Sequence, residues 1–213
     1  MKALFGGSFN PVHNGHLILA RDVVEDFGFE KLFFVPAKVQ PLKGKLLIPP
    51  EVRLSALRAA VSLYPRFDVW DFELKSEGVS YTYRTLEHFH RLYGERPAFV
   101  LGADSFASLP RWKEPQRVLE LARLVVMARP GYSPDFEEVF RQLGLCPKFI
   151  IVEKEGVELP QEWDVALYRG RLLDISATEI RRRLLEGDSI SYFVPEQVEK
   201  ILRRWRDGLQ QNV

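Results

Sequence analysis

The amino-acid sequence predicts an α/β protein: a doubly wound, mostly parallel sheet flanked by helices, with a small helical part at the C-terminal end. Three observations carry this. A short apolar run (Ala3, Leu4, Phe5) stops at Gly6-Gly7, a polar loop follows, and helical spacing begins near Asn14. A continuous apolar run, KLFFVP at 31–36, comes close enough behind that helix to complete a strand–helix–strand unit. The same alternation returns later, with apolar runs at 97–101 and 124–128 separated by helical patterns. Units of this kind require right-handed crossovers and strands buried on both faces.

In order, residues 15–27 place Leu17, Ile18, Ala20, Val23, Val24 and Phe27 at helical spacing, and Gly28 closes the helix. Proline, glycine and three lysines in AKVQPLKGKLLIPP (37–50) read as a mobile loop at the carboxyl end of the second strand, where open α/β sheets bind ligands. Pro50 starts a helix running to Tyr64. Phe67 and the run VWDFEL (69–74) read as a third strand, its outer charges Asp71 and Glu73 suggesting a sheet edge. Residues 80–93 are helical, with Leu86, Phe89 and Leu92 inward. The fourth strand, 97–101, ends in Gly102-Ala103-Asp104. A short helix (115–122), a strand (124–128), a helix to Leu143 and a strand (148–152) follow. Residues 153–171 yield only strand fragments near 165–168, giving five or six strands. A final amphipathic helix over 195–206 is a packing element.

At 213 residues the chain suits one well-buried core, so a single domain over 1–213 is expected, its helical portion beginning near 176. Hydrophobic residues at 46% and charged at 28% fit a soluble globular protein. A net charge of +1 gives no reason to expect nucleic acid or an anionic membrane as partner. The single cysteine excludes an internal disulfide and suits a reducing compartment. No charged-then-apolar leader opens the chain and no apolar run spans a bilayer. A cytoplasmic location is the expectation.

Two helix starts carry the chemistry. The first is G-x-F-x-P-x-H-x-G-H, from Gly7 through Phe9 and Pro11 to His13, Gly15 and His16. It is neither of the common phosphate loops, G-x-x-x-x-G-K-[ST] or G-x-G-x-x-G. A strand, a glycine turn and a helix N-terminus nevertheless aim backbone N–H groups at an anion. His13 and His16, three apart, share one side of the first turn. A zinc site fails for want of ligands, since the other histidines are His88 and His90 and the only cysteine is Cys146. His88 and His90 differ by two, face apart, and read as packing or surface residues. The second start is DISATEIRRRLL (174–185), where Ser176 and Glu179 have capping-box spacing. Thr178 and Arg181 lie on one face there, suited to phosphate oxygens, while Arg182 and Arg183 form a solvated basic face. Asp104, just past a strand and behind Gly102, either reaches a ligand or caps the next helix. Trp112, in a proline-bounded loop, is either a lid over a flat ligand or a plug beneath the loop.

With these pieces in place the chain resembles the bacterial nicotinate-nucleotide adenylyltransferases of the nucleotidyltransferase superfamily, over nearly its whole length. The resemblance rests on GGSFNPVHNGHL (6–17), VPAKVQPLK (35–43), SYTYRTL (80–86), FVLGADSFASLPRW (99–112), MARPGY (127–132), ISATEIRRRL (175–184) and VPEQV (194–198). It implies a Rossmann-like fold and adenylyl transfer from ATP to nicotinate mononucleotide, with Mg²⁺, giving nicotinate adenine dinucleotide and pyrophosphate. By the same resemblance His13 and His16 hold the ATP phosphates, with Gly7, Ser8, Phe9 and Gly15 in the box around them. Ser176, Thr178 and Arg181 hold the leaving phosphates, so the catalytic set is His13, His16 and Arg181. Lys43 approaches the phosphates and substrate from the loop. Asp104, behind Gly102, contacts the ribose. Trp112 stacks on the pyridine ring, and the backbone at Thr82 receives its carboxylate. Oligomeric state is left open, and no carboxylate cluster with metal spacing is present. One departure stands out: the family loop reads P-P-H-K, and here it is Gln40-Pro41-Leu42-Lys43. Two other readings remain: a related enzyme such as the pantetheine-phosphate adenylyltransferase, or a non-catalytic nucleotide sensor.

Overall fold

The structure is a computed structural model that describes residues 1–39, 46–129, 131–154 and 159–210. The strands are β1 (Lys2–Gly7), β2 (Lys31–Pro36), β3 (Phe67–Val69), β4 (Ala98–Gly102), β5 (Arg123–Met127), β6 (Phe149–Glu153) and β7 (Val165–Arg169). They form one sheet in the order β3-β2-β1-β4-β5-β7-β6, with every neighbouring pair parallel. The helices among the described residues are α1 (Asn14–Asp26), α2 (Pro50–Val61), α3 (Phe72–Lys75), α4 (Thr82–Tyr93), α5 (Ala103–Ala107), α6 (Pro115–Leu121), α7 (Phe136–Leu143), α8 (Ala177–Glu186) and α9 (Glu196–Gln210).

Strand periodicity divides the core into two layers. In β1, Ala3 and Phe5 face one side, where they meet Val23 and Val24 of α1, Leu57 of α2, Ile180 of α8 and Leu202 of α9. Leu4 faces the other, with Leu86 and Phe89 of α4, Phe106 of α5 and Val118 of α6. Such a two-sided sheet reads as continuous apolar runs, which is why KLFFVP was legible. The chain runs outward from β1 to β2 and β3, then returns to place β4 on the other flank of β1. The order therefore reverses between β1 and β4, and a crevice opens past their carboxyl ends, at Gly7 and Gly102.

Several expectations need correction. The sheet has seven strands, not five or six, and β7, read only as fragments, lies inside it between β5 and β6. The run at 69–74 is not one strand. β3 stops at Val69, and residues 72–75 turn into α3 because Glu73 is drawn inward to Thr85 Oγ1, 2.6 Å away. The sheet-edge position of β3 is as expected. Leu92 is exposed at 58%. At the end of α4 the partly exposed Tyr93 instead packs its ring on Phe89 and Phe33 at 4.4 and 5.9 Å, as i, i+4 spacing from Phe89 allows.

Candidate active site

The first corner begins where β1 runs out. A Cβ on Gly6 would lie 2.6 Å from the Phe99 ring on β4, so only glycine lets that ring cross the switch point. Phe9 then takes a left-handed backbone, φ +42°, unfavourable for a bulky residue. Its ring is buried edge-on against Phe5 and Phe34, at 5.5 Å from each. The loop is tied from behind: Asn10 Oδ1 accepts the Ile48 N–H at 3.1 Å, and Arg53 donates to the Ser8 carbonyl at 2.6 Å.

His13 is the N-cap of α1. Its Nδ1 accepts the His16 N–H at 3.4 Å, and the Nδ1 of His16 accepts the His13 N–H at 3.3 Å. Two histidines thus make the reciprocal capping box usually made by Ser and Glu. Their rings stack with centroids 3.6 Å apart and 26° between planes. Because the Nδ1 of His13 accepts a backbone hydrogen bond, its neutral ring carries the proton on Nε2. Burial holds His13 neutral, pulling its pKa from 6.5 down to about 4. Gly15 leaves room for the His13 ring, since a Cβ on it would sit 3.0 Å from His13 Nδ1, a tight contact.

The second corner is the start of α8. Ser176 caps it, its Oγ accepting the Thr178 N–H at 3.2 Å. The expected partner, Glu179, instead accepts from Arg183 at 2.9 Å, so the full capping box does not form. Arg183 also lies over the Phe193 ring, so it is packed rather than simply solvated. Arg181 spans the two corners. One of its guanidinium nitrogens donates to Thr178 Oγ1 at 3.0 Å and the other to the Asn10 carbonyl at 2.7 Å. Asn14, the first residue of α1, is tied by its backbone and side chain to the carbonyls of Phe193 and Tyr192. Residue pairs 171 and 178 positions apart in sequence are therefore locked together.

A cavity of about 610 Å³ lies between them. Gly7, Ser8, Phe9, His13, Gly15 and His16 line one side, Ser176, Thr178 and Arg181 the other, and Gly102 and Asp104 the far wall. Lys43, with Gln40, Pro41 and Leu42, lies outside the described residues. Asp104 sits in the first turn of α5, whose N-cap is Gly102, and its carboxylate stands 3.9 Å from Arg129. The capping alternative for Asp104 is thus not realised.

A second cavity, about 380 Å³, shares Gly6, Gly7 and Ser105 with the first. Trp112 and Phe99 form part of its wall; the indole Nε1 donates to Ser108 Oγ at 3.0 Å and the rings meet edge-on at 6.4 Å. Thr82 opens α4 at the cavity, and Tyr81 before it makes no side-chain cap. The amides of Thr82 and Tyr83 precede the first backbone bond of α4, which runs from the Arg84 N–H to the Tyr81 carbonyl at 3.0 Å. Sequence reasoning missed Glu73, a buried carboxyl in this wall that burial pushes above the usual range. It also missed Arg53, buried at 1% exposure. Neither carries a local signal, because their partners are distant in sequence. His88 stacks on Phe72 and Trp70, and neither it nor His90 lines either cavity. Among the described residues no group of three or more His, Cys, Asp or Glu is placed to hold a metal ion.

Comparison with known proteins shows the family and the fold. The cytidylyltransferase-like family model matches residues 4–183. A probable nicotinate-nucleotide adenylyltransferase of Clostridium tetani is 34% identical over 96% of both chains. The Aquifex aeolicus protein of the same name is 38% identical over 84% of this chain and all of its own. In fold, the chain resembles the Plasmodium falciparum nicotinic acid mononucleotide adenylyltransferase complexed with NaAD, with a TM-score of 0.71 at 15% identity, covering 96% of this chain and 95% of that one. The chain belongs to the cytidylyltransferase-like family and, within it, to the nicotinate-nucleotide adenylyltransferases.

Proposed function

We propose that the protein transfers the adenylyl group of ATP to nicotinate mononucleotide, releasing pyrophosphate and forming nicotinate adenine dinucleotide for NAD synthesis. The observation that carries the proposal is the junction of two helix starts across one cavity, bridged by Arg181. In this reading the triphosphate lies between them. The Nε2–H group of His13, the His16 imidazole and the amides after Gly7 take one side; Ser176, Thr178 and Arg181 take the other. Asp104 stands toward the ribose. The mononucleotide occupies the adjoining cavity, its pyridine ring against Trp112 and its carboxylate toward the α4 amides at Thr82.

A phosphate oxygen of the mononucleotide attacks the α-phosphorus in line. The new O–P bond forms as the bond to the β-phosphate oxygen breaks, and pyrophosphate leaves. That oxygen is ionised at neutral pH, so no general base is needed. The protein holds two anions in register and neutralises the charge growing on the leaving group. The cavity's carboxylates, Asp104 and Asp174, suit an ion that enters with the triphosphate rather than one held by the protein alone. Mg²⁺ would supply charge neutralisation on the phosphate oxygens. Lys43 would complete the phosphate contacts from the 37–50 loop.

The test is pyrophosphate release from ATP with nicotinate mononucleotide, nicotinamide mononucleotide and phosphopantetheine offered separately. Turnover is expected to be fastest with the first. Faster turnover with phosphopantetheine, or ATP binding without turnover on any acceptor, would replace the proposal with one of its rivals.

A further inference from the structure

We infer that Arg53 is a positioning residue for the phosphate corner, a role that rests on the adenylyl-transfer reading. It stands in the first turn of α2, lines neither cavity, and is the largest fully buried side chain among the described residues. Its Nε donates to the Ile48 carbonyl at 3.2 Å and one Nη to the Ser8 carbonyl at 2.6 Å, while the other Nη is buried with no hydrogen-bond partner among the described residues. No carboxylate bonds to it among the described residues, and burial lowers its pKa. Glu51, two residues before it, offsets part of that burial cost through space but makes no hydrogen bond to it. A buried guanidinium held only by carbonyls is costly to keep, so its placement calls for a use.

Peptide geometry supplies one. The Ser8–Phe9 bond is trans, so the Ser8 carbonyl and the Phe9 N–H point in opposite directions. Arg53 draws that carbonyl into the core and thereby turns the Phe9 N–H toward the cavity side. Arg181 grips the Asn10 carbonyl two residues on. Two guanidinium groups therefore clamp the strained Phe9 backbone from either side.

The test uses the full chain with inorganic triphosphate, which probes the corner whatever the acceptor. Arg53→Lys keeps the charge but loses the planar fork that holds the two carbonyls in fixed directions; Arg53→Gln removes the charge. With folding verified by circular dichroism, both should bind triphosphate about tenfold more weakly. kcat should fall about 10- to 100-fold, less than for a lost direct donor, and KM for the mononucleotide should hold within about twofold. Wild-type triphosphate affinity and kcat in a folded Arg53→Lys would overturn the inference. Should neither variant fold, nitrogen-15 NMR of the wild type decides. On adding triphosphate the Phe9 amide and the Arg53 Nε–H signals should move together, and an unmoved Arg53 signal would overturn the role. If the wild type binds no triphosphate at all, the adenylyl-transfer reading fails with it; wild-type binding with indifferent variants removes Arg53 alone.

Discussion

His13 gives the sharpest quantitative handle on this site. Its Nδ1 accepts a backbone proton at the start of α1, and burial leaves its folded pKa at about 4 against 6.5 for an unperturbed imidazole. A folded pKa below the unfolded one means the folded state resists taking the proton. The stability that follows is fully present above pH 6.5 and is lost as pH falls from 6.5 toward 4. At 1.36 kcal/mol per pH unit the loss amounts to roughly 3 kcal/mol, a large part of a typical domain's stability. His13→Asn removes the titrating ring and keeps a side chain able to cap the helix. Urea unfolding at pH 7, 6, 5 and 4 should therefore show the wild type losing about 3 kcal/mol more than the variant over that range. Parallel stability curves would refute the reasoning, because they would mean the ring protonates as easily in the fold as outside it.

Two further outcomes test the chemistry. His16→Ala should lower kcat by about 10²–10³ and leave the fold intact by circular dichroism, as expected for loss of one donor to developing charge; a wild-type kcat would remove His16 from the catalytic set. Trp112→Ala should weaken the mononucleotide by about 1–3 kcal/mol, seen mainly in KM, and an unchanged KM would leave the indole as part of the loop's packing against Phe99.

What could be read in advance followed from local rules. Strands buried on both faces appear as unbroken apolar runs, so β1, β2, β4 and β5 were legible, and the two helix starts announced themselves through Gly6-Gly7, His13 and Ser176. Misreadings arose where a distant partner decides. Asp71 and Glu73 imitate the outer charges of an edge strand, yet Asp71 pairs with Arg58 and Glu73 is buried against Thr85. β7 was faint in isolation and owes its place to neighbours on both sides, β5 and β6. The histidine capping box could not be foreseen, since His13 and His16 are weak cap formers until the loop brings each Nδ1 over the other's amide. Arg53 and its carbonyl at Ser8 are 45 residues apart, and no periodicity links them.

A crystal structure with a non-hydrolysable ATP analogue bears most directly on the whole account. Its triphosphate should lie within hydrogen-bonding reach of both His16 at one helix start and Thr178 or Arg181 at the other. A triphosphate touching only one of these, or seated outside the cavity they share, would contradict it.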